Sequence, residues 1–250
     1  MAAISSDLKL ALDRVAFARS AGLELDPWQE DVLRSKSKRI LMNCARQTGK
    51  TTIAGALALH TALYTPRSFS LIFAPSLDQS LEFFRRVTEL AHNLGMENLD
   101  PEALRKTGLE LKNGSRIEAR PGSEKTARGR TAGLILIDEA ARIDDQLYLS
   151  LRPMLAVTQG SLVMLSTPWG KRGAFYEAWV SEEYLWERYL VTAYDCPRIS
   201  PEFLEEERRS MPQRNFEMEY LCIFHDSRFQ LFNSEAVEQM FSDDLQELEI

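Results

Sequence analysis

Eight consecutive residues, Cys44-Ala45-Arg46-Gln47-Thr48-Gly49-Lys50-Thr51, carry the chemistry of a phosphate-binding loop. In the pattern G-x-x-x-x-G-K-[ST], backbone N–H groups cradle phosphates, the lysine reaches the terminal phosphates and the hydroxyl meets Mg²⁺. Cys44 stands where the first glycine is usual, so the surroundings have to carry part of the argument. A second centre lies at Leu134-Ile135-Leu136-Ile137-Asp138-Glu139. An uninterrupted apolar run suits a strand buried on both faces, and two carboxylates at its end are costly unless used. Asp138 is placed to hold Mg²⁺, and Glu139 to orient and deprotonate an attacking water. Lys50, Thr51, Asp138 and Glu139 together imply chemistry on a phosphate anhydride, with Mg²⁺ as its ion. A third segment, Ser166-Thr167-Pro168, follows an apolar run at Leu162-Val163-Met164-Leu165 and suits sensing of the nucleotide.

Positioning these groups requires strand, loop and helix in order. Residues 39–43 read as a short apolar strand and 51–59 as a helix, whose positive N-terminal end would face the phosphates. Further on, 70–75 is a strand stopped by proline, 76–94 a long helix and 134–137 the acidic-ended strand. The alternation predicts a mostly parallel sheet covered by helices on both sides, with ligands at the carboxyl ends of the strands. Residues 8–20 read as one amphipathic helix. Asp26-Pro27 opens another, with aspartate as N-cap and proline at the first helical position. Leu109 to Ala119 reads as a β-hairpin turning on the two residues Asn113-Gly114. Residues 145–156 form a helix ended near Pro153. From about Gly170 the texture changes: helices over 174–180, 201–210 and 212–221, with a strand around 186–191, read as a small helical cover. The expected division is a core over 1–170, a lid over 171–226 and an acidic tail or truncated linker over 227–250.

The chain has 250 residues, 44% of them hydrophobic and 27% charged, which suits one globular enzyme-sized unit. No apolar run is long enough for a membrane span and no signal-peptide order opens the chain, so an intracellular protein without a membrane partner is expected. Cys44, Cys196 and Cys222 are scattered and odd in number, which argues against a disulfide framework or a zinc site. His60, His92 and His225 show no ligand spacing. The net charge of −7 excludes a uniformly basic nucleic-acid coat but not a local patch. Lys112, Arg116, Arg120, Lys125, Arg128 and Arg130 form one basic run, and Lys171-Arg172 a shorter one; either a solvated face or a DNA-facing edge would account for them.

Taken in order, Trp28-Gln29, Arg46-Gln47-Thr48-Gly49-Lys50-Thr51, Arg128-Gly129, Leu136-Ile137-Asp138-Glu139-Ala140 and Ser166-Thr167-Pro168 resemble the large terminase subunits of tailed double-stranded DNA phages. The resemblance spans roughly residues 20 to 225 and includes the replaced first glycine and the Arg-Gln before Gly-Lys. It implies a P-loop NTPase of the ASCE/RecA-like kind with a small C-terminal helical lid, and an ATPase that drives double-stranded DNA into a procapsid. It further implies a homo-oligomeric ring, a pentamer in that family, acting with portal protein and small terminase subunit in the bacterial host cytoplasm and transiently at the procapsid portal.

By the same resemblance, Gln47, Thr48, Gly49, Lys50, Thr51 and Thr52 surround the phosphates, and Thr51 and Asp138 hold Mg²⁺. Glu139 activates water, Gln29 beside Trp28 reads adenine, and Ser166 and Thr167 couple the γ-phosphate to the lid. Two arginines compete for the transition-state role. Arg46 would act in the same subunit, and Arg128, which we favour, would act on a neighbour's nucleotide, with Arg130 a weaker substitute. Members of the family usually add an RNase H-like nuclease, which residues 225–250 are too few to form, so no genome cutting is expected of this chain. Two other readings stay open: a helicase-type nucleic-acid translocase, and a low-turnover nucleotide-binding assembly module.

Overall fold

A computed structural model describes residues 2–96, 104–105, 107–122, 131–182 and 185–226. Arg128, Gly129, Arg130, Lys125 and the acidic tail lie outside the described residues. In chain order the helices are α1 (Ala2–Leu12), α2 (Arg14–Ser20), α3 (Pro27–Arg34), α4 (Lys50–Tyr64), α5 (Leu77–Asn93), α6 (Asp145–Leu151), α7 (Gly173–Val180), α8 (Pro201–Ser210) and α9 (Gln213–Tyr220). The strands are β1 (Arg39–Cys44), β2 (Phe69–Ala74), β3 (Leu104–Arg105), β4 (Gly108–Glu110), β5 (Arg116–Pro121), β6 (Leu134–Asp138), β7 (Ser161–Ser166) and β8 (Glu187–Val191).

All eight strands join one sheet in the order β3-β4-β5-β2-β6-β7-β1-β8. From β5 through β8 every pairing is parallel, and β3 and β4 add an antiparallel edge. Period-two alternation of large apolar side chains builds a core on each face. Ile40, Met42, Leu136, Val163 and Leu165 meet Phe17, Val32, Ile53 and Phe83 of α2 to α5 on one side. Leu41, Ile135, Ile137, Leu162 and Met164 meet Leu147, Leu151 and Phe175 of α6 and α7 on the other. The α/β sandwich with a mostly parallel sheet is thus the fold expected.

Two local expectations need correction. The helix over 8–20 is two helices, because the Asp13 carboxylate accepts the N–H groups of Val15 and Ala16 and so starts α2 afresh. The hairpin does not turn on two residues. Leu111 N–H donates to the Ser115 carbonyl at 2.9 Å, leaving a three-residue connection, Lys112 to Gly114, in which Gly114 takes φ 80°. Asn113 is occupied elsewhere: its amide donates to the carbonyls of Ala62 and Leu63 at the end of α4. The strand expected around 186–191 is β8. It pairs with β1, Ile40 to Glu187 through Cys44 to Val191, and completes the sheet edge beside the phosphate loop.

Candidate functional site

Cys44 closes β1 in register with Val191, a strand position. The loop's left-handed residues are Gln47 (φ 60°) and Gly49 (φ 90°), so no glycine is needed at 44. The side chain is fully buried, and burial pushes its thiol far above the usual range, so Cys44 acts as a small apolar filler. Gly49 is the N-cap of α4 and Lys50 its first residue, which aims the helix's unsatisfied N–H groups at the space above the loop.

A cavity of about 460 Å³ lies there, lined by Gln47, Gly49, Lys50, Thr51, Thr52, Asp138 and Glu139 together with Gln79, Glu82, Phe83 and Arg86 of α5. The Lys50 ammonium lies 3.6 Å from a Glu139 carboxylate oxygen, so the two hold each other inside the cavity. Glu139 adopts a left-handed φ of 48°, and its other oxygen is 3.5 Å from Arg142, whose guanidinium stacks 3.8 Å from the ring centroid of Trp169. Thr51 donates its hydroxyl hydrogen to Asp138 at 3.1 Å, and the Glu139 N–H donates to the other Asp138 oxygen at 2.9 Å. Burial, and secondarily the Glu139 charge, push the Asp138 carboxyl up to about 6 against the opposing pull of Lys50. A hydroxyl and a buried carboxylate in contact are hard oxygen donors, and they fit Mg²⁺.

The raised Asp138 pKa fixes a sign. Between the ordinary 3.8 and about 6 the folded protein holds a proton that the unfolded chain has lost, so this group's contribution to stability falls as pH rises through that window. Asp138→Asn is expected to raise the melting temperature of the metal-free protein at pH 8 and to leave it little changed at pH 4. Added Mg²⁺ should raise the wild-type melting temperature at pH 8 but not that of the variant, as thermal unfolding with and without chelator will report.

Several expected site residues stand behind the cavity rather than in it. Gln29 is buried; its carboxamide accepts the Asp26 N–H at 3.0 Å and donates to the Thr48 carbonyl at 3.1 Å, bracing the back of the loop. Trp28 packs against the core of α2 to α5 beside it. Thr48 is buried, with its hydroxyl on the Ala45 carbonyl. Ser166 and Thr167 are buried too. The Ser166 hydroxyl accepts from Ala141 N–H at 3.2 Å and donates to the Thr167 carbonyl at 2.7 Å, so it supports the turn that follows Glu139. Arg46 points away from the cavity: its guanidinium pairs with Glu219 of α9, and its N–H donates to the Glu219 carbonyl.

Sequence reasoning missed the far wall and the back brace. Gln79, Glu82, Phe83 and Arg86 could have been found from the start of α5 at a strand's carboxyl end. Arg198, in contrast, carried no signal. It grips Asp26 through two bonds of 2.8 and 2.7 Å and reaches the Thr48 carbonyl at 3.3 Å, and the bond to Asp26 raises its pKa. This brace crowds Gly49, where an added Cβ would sit 2.9 Å from the Gln29 amide nitrogen. Gly49→Ala is expected to cost about 1–3 kcal/mol from left-handed backbone strain and to weaken nucleotide binding. Thermal unfolding and titration with a fluorescent ATP analogue would show both effects.

Parallel sheet, glycine-lysine-threonine loop at a helix N-terminus and an Asp-Glu strand end define a P-loop NTPase fold. The match to known proteins is narrower. The sequence model of the family described as "Terminase large subunit, T4likevirus-type, N-terminal" covers residues 41–239, and the chain belongs to that family. It is 27% identical over 221 residues to the large terminase subunit of Escherichia phage T5, covering 82% of this chain and 49% of that protein. The chain thus spans about half the length of that relative. Among solved structures, the large terminase ATPase domain of Thermus phage P74-26 superposes with a TM-score of 0.72 at 24% identity, covering 82% of this chain and 96% of that one. The HK97 bacteriophage large terminase gives 0.66 at 16%, covering 81% of this chain and 51% of that one. A large terminase from a thermophilic bacteriophage, solved in complex with ADP, gives 0.65 at 15% and covers 80% and 54%.

Proposed function

We propose that the chain is the ATP-hydrolysing part of a viral genome-packaging motor, which moves double-stranded DNA into a procapsid. The observation that carries this reading is the convergence of Lys50, Thr51, Asp138 and Glu139 on one cavity, in a chain of the large terminase family. The ADP complex of a structural relative supports the choice of nucleotide. In this reading the loop N–H groups and Lys50 receive the phosphates, which draw Lys50 away from Glu139 and free that carboxylate to take a proton from the attacking water. Thr51 and Asp138 would hold Mg²⁺, which when bound neutralises charge on the phosphates.

The C-terminal elements grip the loop directly. Ala45 N–H donates to the Val191 carbonyl at 2.8 Å, Arg46 binds Glu219, and Arg198 reaches Thr48. We take these contacts as the route by which phosphates seated in the loop would shift residues 171–226 as a lid. Gln29 would meet adenine only by leaving Asp26 and Thr48. Ser166 and Thr167 would act through the Glu139 turn, not by touching phosphate.

The working form we propose is a homo-oligomeric ring, a pentamer, on the portal, with the small terminase subunit as partner in the host cytoplasm. Among the described residues no helix is long and apolar enough to cross a membrane. The test is ATP-dependent protection of DNA from nuclease in the presence of portal and procapsid, set beside a strand-displacement assay. Protection without strand displacement supports packaging. Displacement without protection would assign the chain to the helicase-type translocases instead.

A further inference from the structure

Away from the phosphate loop, at the amino ends of the strands, lies a cleft of about 690 Å³. It is bounded where β1, β2, β6 and β7 begin, at Ile40, Phe69, Leu134 and Ser161. Strands of five or six residues separate it from the phosphate loop by roughly 20 Å, so its occupant would not compete with ATP. Four cations line it, Arg14, Lys36, Lys38 and Arg67, drawn from three separate segments, and no aspartate or glutamate does. In a chain of net charge −7 such a lining is not a by-product of general basicity.

None of the four takes part in an ion pair among the described residues. Glu187, which meets Ser35 of the cleft wall, is occupied by the hydroxyls of Ser35 and Tyr189. Arg14 is the telling member. It is partly buried, it donates to the Ser35 carbonyl at 3.1 Å, and burial lowers its pKa without a carboxylate to offset the loss of water. A desolvated cation left without a counter-ion is costly, and an anion seated in the cleft would remove that cost.

We propose that this cleft binds the phosphodiester backbone of a DNA duplex. Its chemistry is that of backbone contact: flexible lysines and arginines, with the Thr65 hydroxyl beside them. Such groups hold phosphates without reading bases, as a motor that moves any sequence requires. The volume exceeds the needs of a single phosphate, and cations on three segments suit successive phosphates along a strand. The choice of duplex DNA among polyanions rests on the packaging reading; the site itself does not. In the described part of the basic run, Arg120 pairs with Glu118 and Arg116 stacks on Phe69.

The test is fluorescence anisotropy of a short labelled duplex titrated with the full chain over a series of salt concentrations. The variant Lys36→Ala/Lys38→Ala/Arg67→Ala is expected to weaken binding at least tenfold at low salt. It should also reduce the slope of log K against log salt by about 2–3, close to one per lost phosphate contact. Lys36→Arg/Lys38→Arg/Arg67→Lys keeps the charges and should bind as wild type, and Arg208→Ala/Arg209→Ala/Arg214→Ala removes equal charge elsewhere and should do the same. Unchanged binding by the cleft variant, or equal loss in the distant one, overturns the cleft while leaving the packaging reading intact. Displacement of the duplex by stoichiometric pyrophosphate at constant ionic strength would make it a small-anion site and overturn the duplex assignment. A wild-type chain that binds no duplex at all would remove both the cleft and the DNA half of the packaging reading.

Discussion

Glu139→Gln is expected to leave ATP bound and almost unhydrolysed, with phosphate release lowered by a factor on the order of 10²–10⁴. The substitution keeps shape and hydrogen-bonding reach and removes only the capacity to accept a proton from water. Two features of the apoprotein make the assignment specific. Asp138, the neighbouring carboxylate, is tied by the Thr51 hydroxyl and the Glu139 N–H, with both oxygens engaged. Glu139 is held by two cations, Lys50 at 3.6 Å and Arg142 at 3.5 Å, and phosphates entering the loop compete for the first of them. In the proposed reading, Glu139 is therefore restrained until substrate arrives. Affinity for a fluorescent ATP analogue should change little, because the amide repels neither phosphate nor Lys50. Unaltered phosphate release in a variant that binds ATP would dismiss Glu139 as the base and favour the low-turnover assembly module.

The division between what the residues disclosed and what they concealed follows from locality. Lys50, Thr51, Asp138 and Glu139 were legible because each belongs to a short segment whose chemistry is set within eight residues: a strand, its carboxyl end and the turn that leaves it. The sheet was legible for the same reason, since runs such as Leu134 to Ile137 suit only a strand covered on both faces. Cys44 looked like a defect because the glycine pattern encodes a backbone need that only dihedral angles reveal; the strand extends to residue 44, and the left-handed positions are 47 and 49. Gln29 and Ser166 carried the right side chains for ligand contact, but their partners are backbone groups 19 and 25 residues away, which no spacing rule anticipates. Arg198 is the extreme case. Its partner Asp26 is 172 residues distant, and an isolated arginine before a helix is silent in sequence.

Subunits carrying Arg128→Ala, mixed into wild-type protein, are expected to depress ATP hydrolysis by more than their share of the mixture, and the pure variant to lose a factor on the order of 10³–10⁵. The argument comes from the cations the cavity already has. Lys50 is paired with Glu139 and, in the proposed reading, would turn to the phosphates. Arg86, on the far wall, sits between Glu82 and Glu89, at 3.5 and 3.0 Å, so its charge is largely offset. Arg46 is turned outward to Glu219. Among the described residues of one subunit, no cation stands free to stabilise the charge that develops on the transferred phosphoryl group. A residue supplied by a neighbour would meet that need and make hydrolysis conditional on assembly, so the rate per subunit should rise steeply with protein concentration. Arg46→Ala separates the alternatives. If Arg46 swings from Glu219 to the phosphates of its own subunit, its removal should lower the rate equally at every concentration, and mixtures with wild type should average linearly. A flat rate per subunit together with linear averaging for Arg128→Ala would move the transition-state role from Arg128 to Arg46.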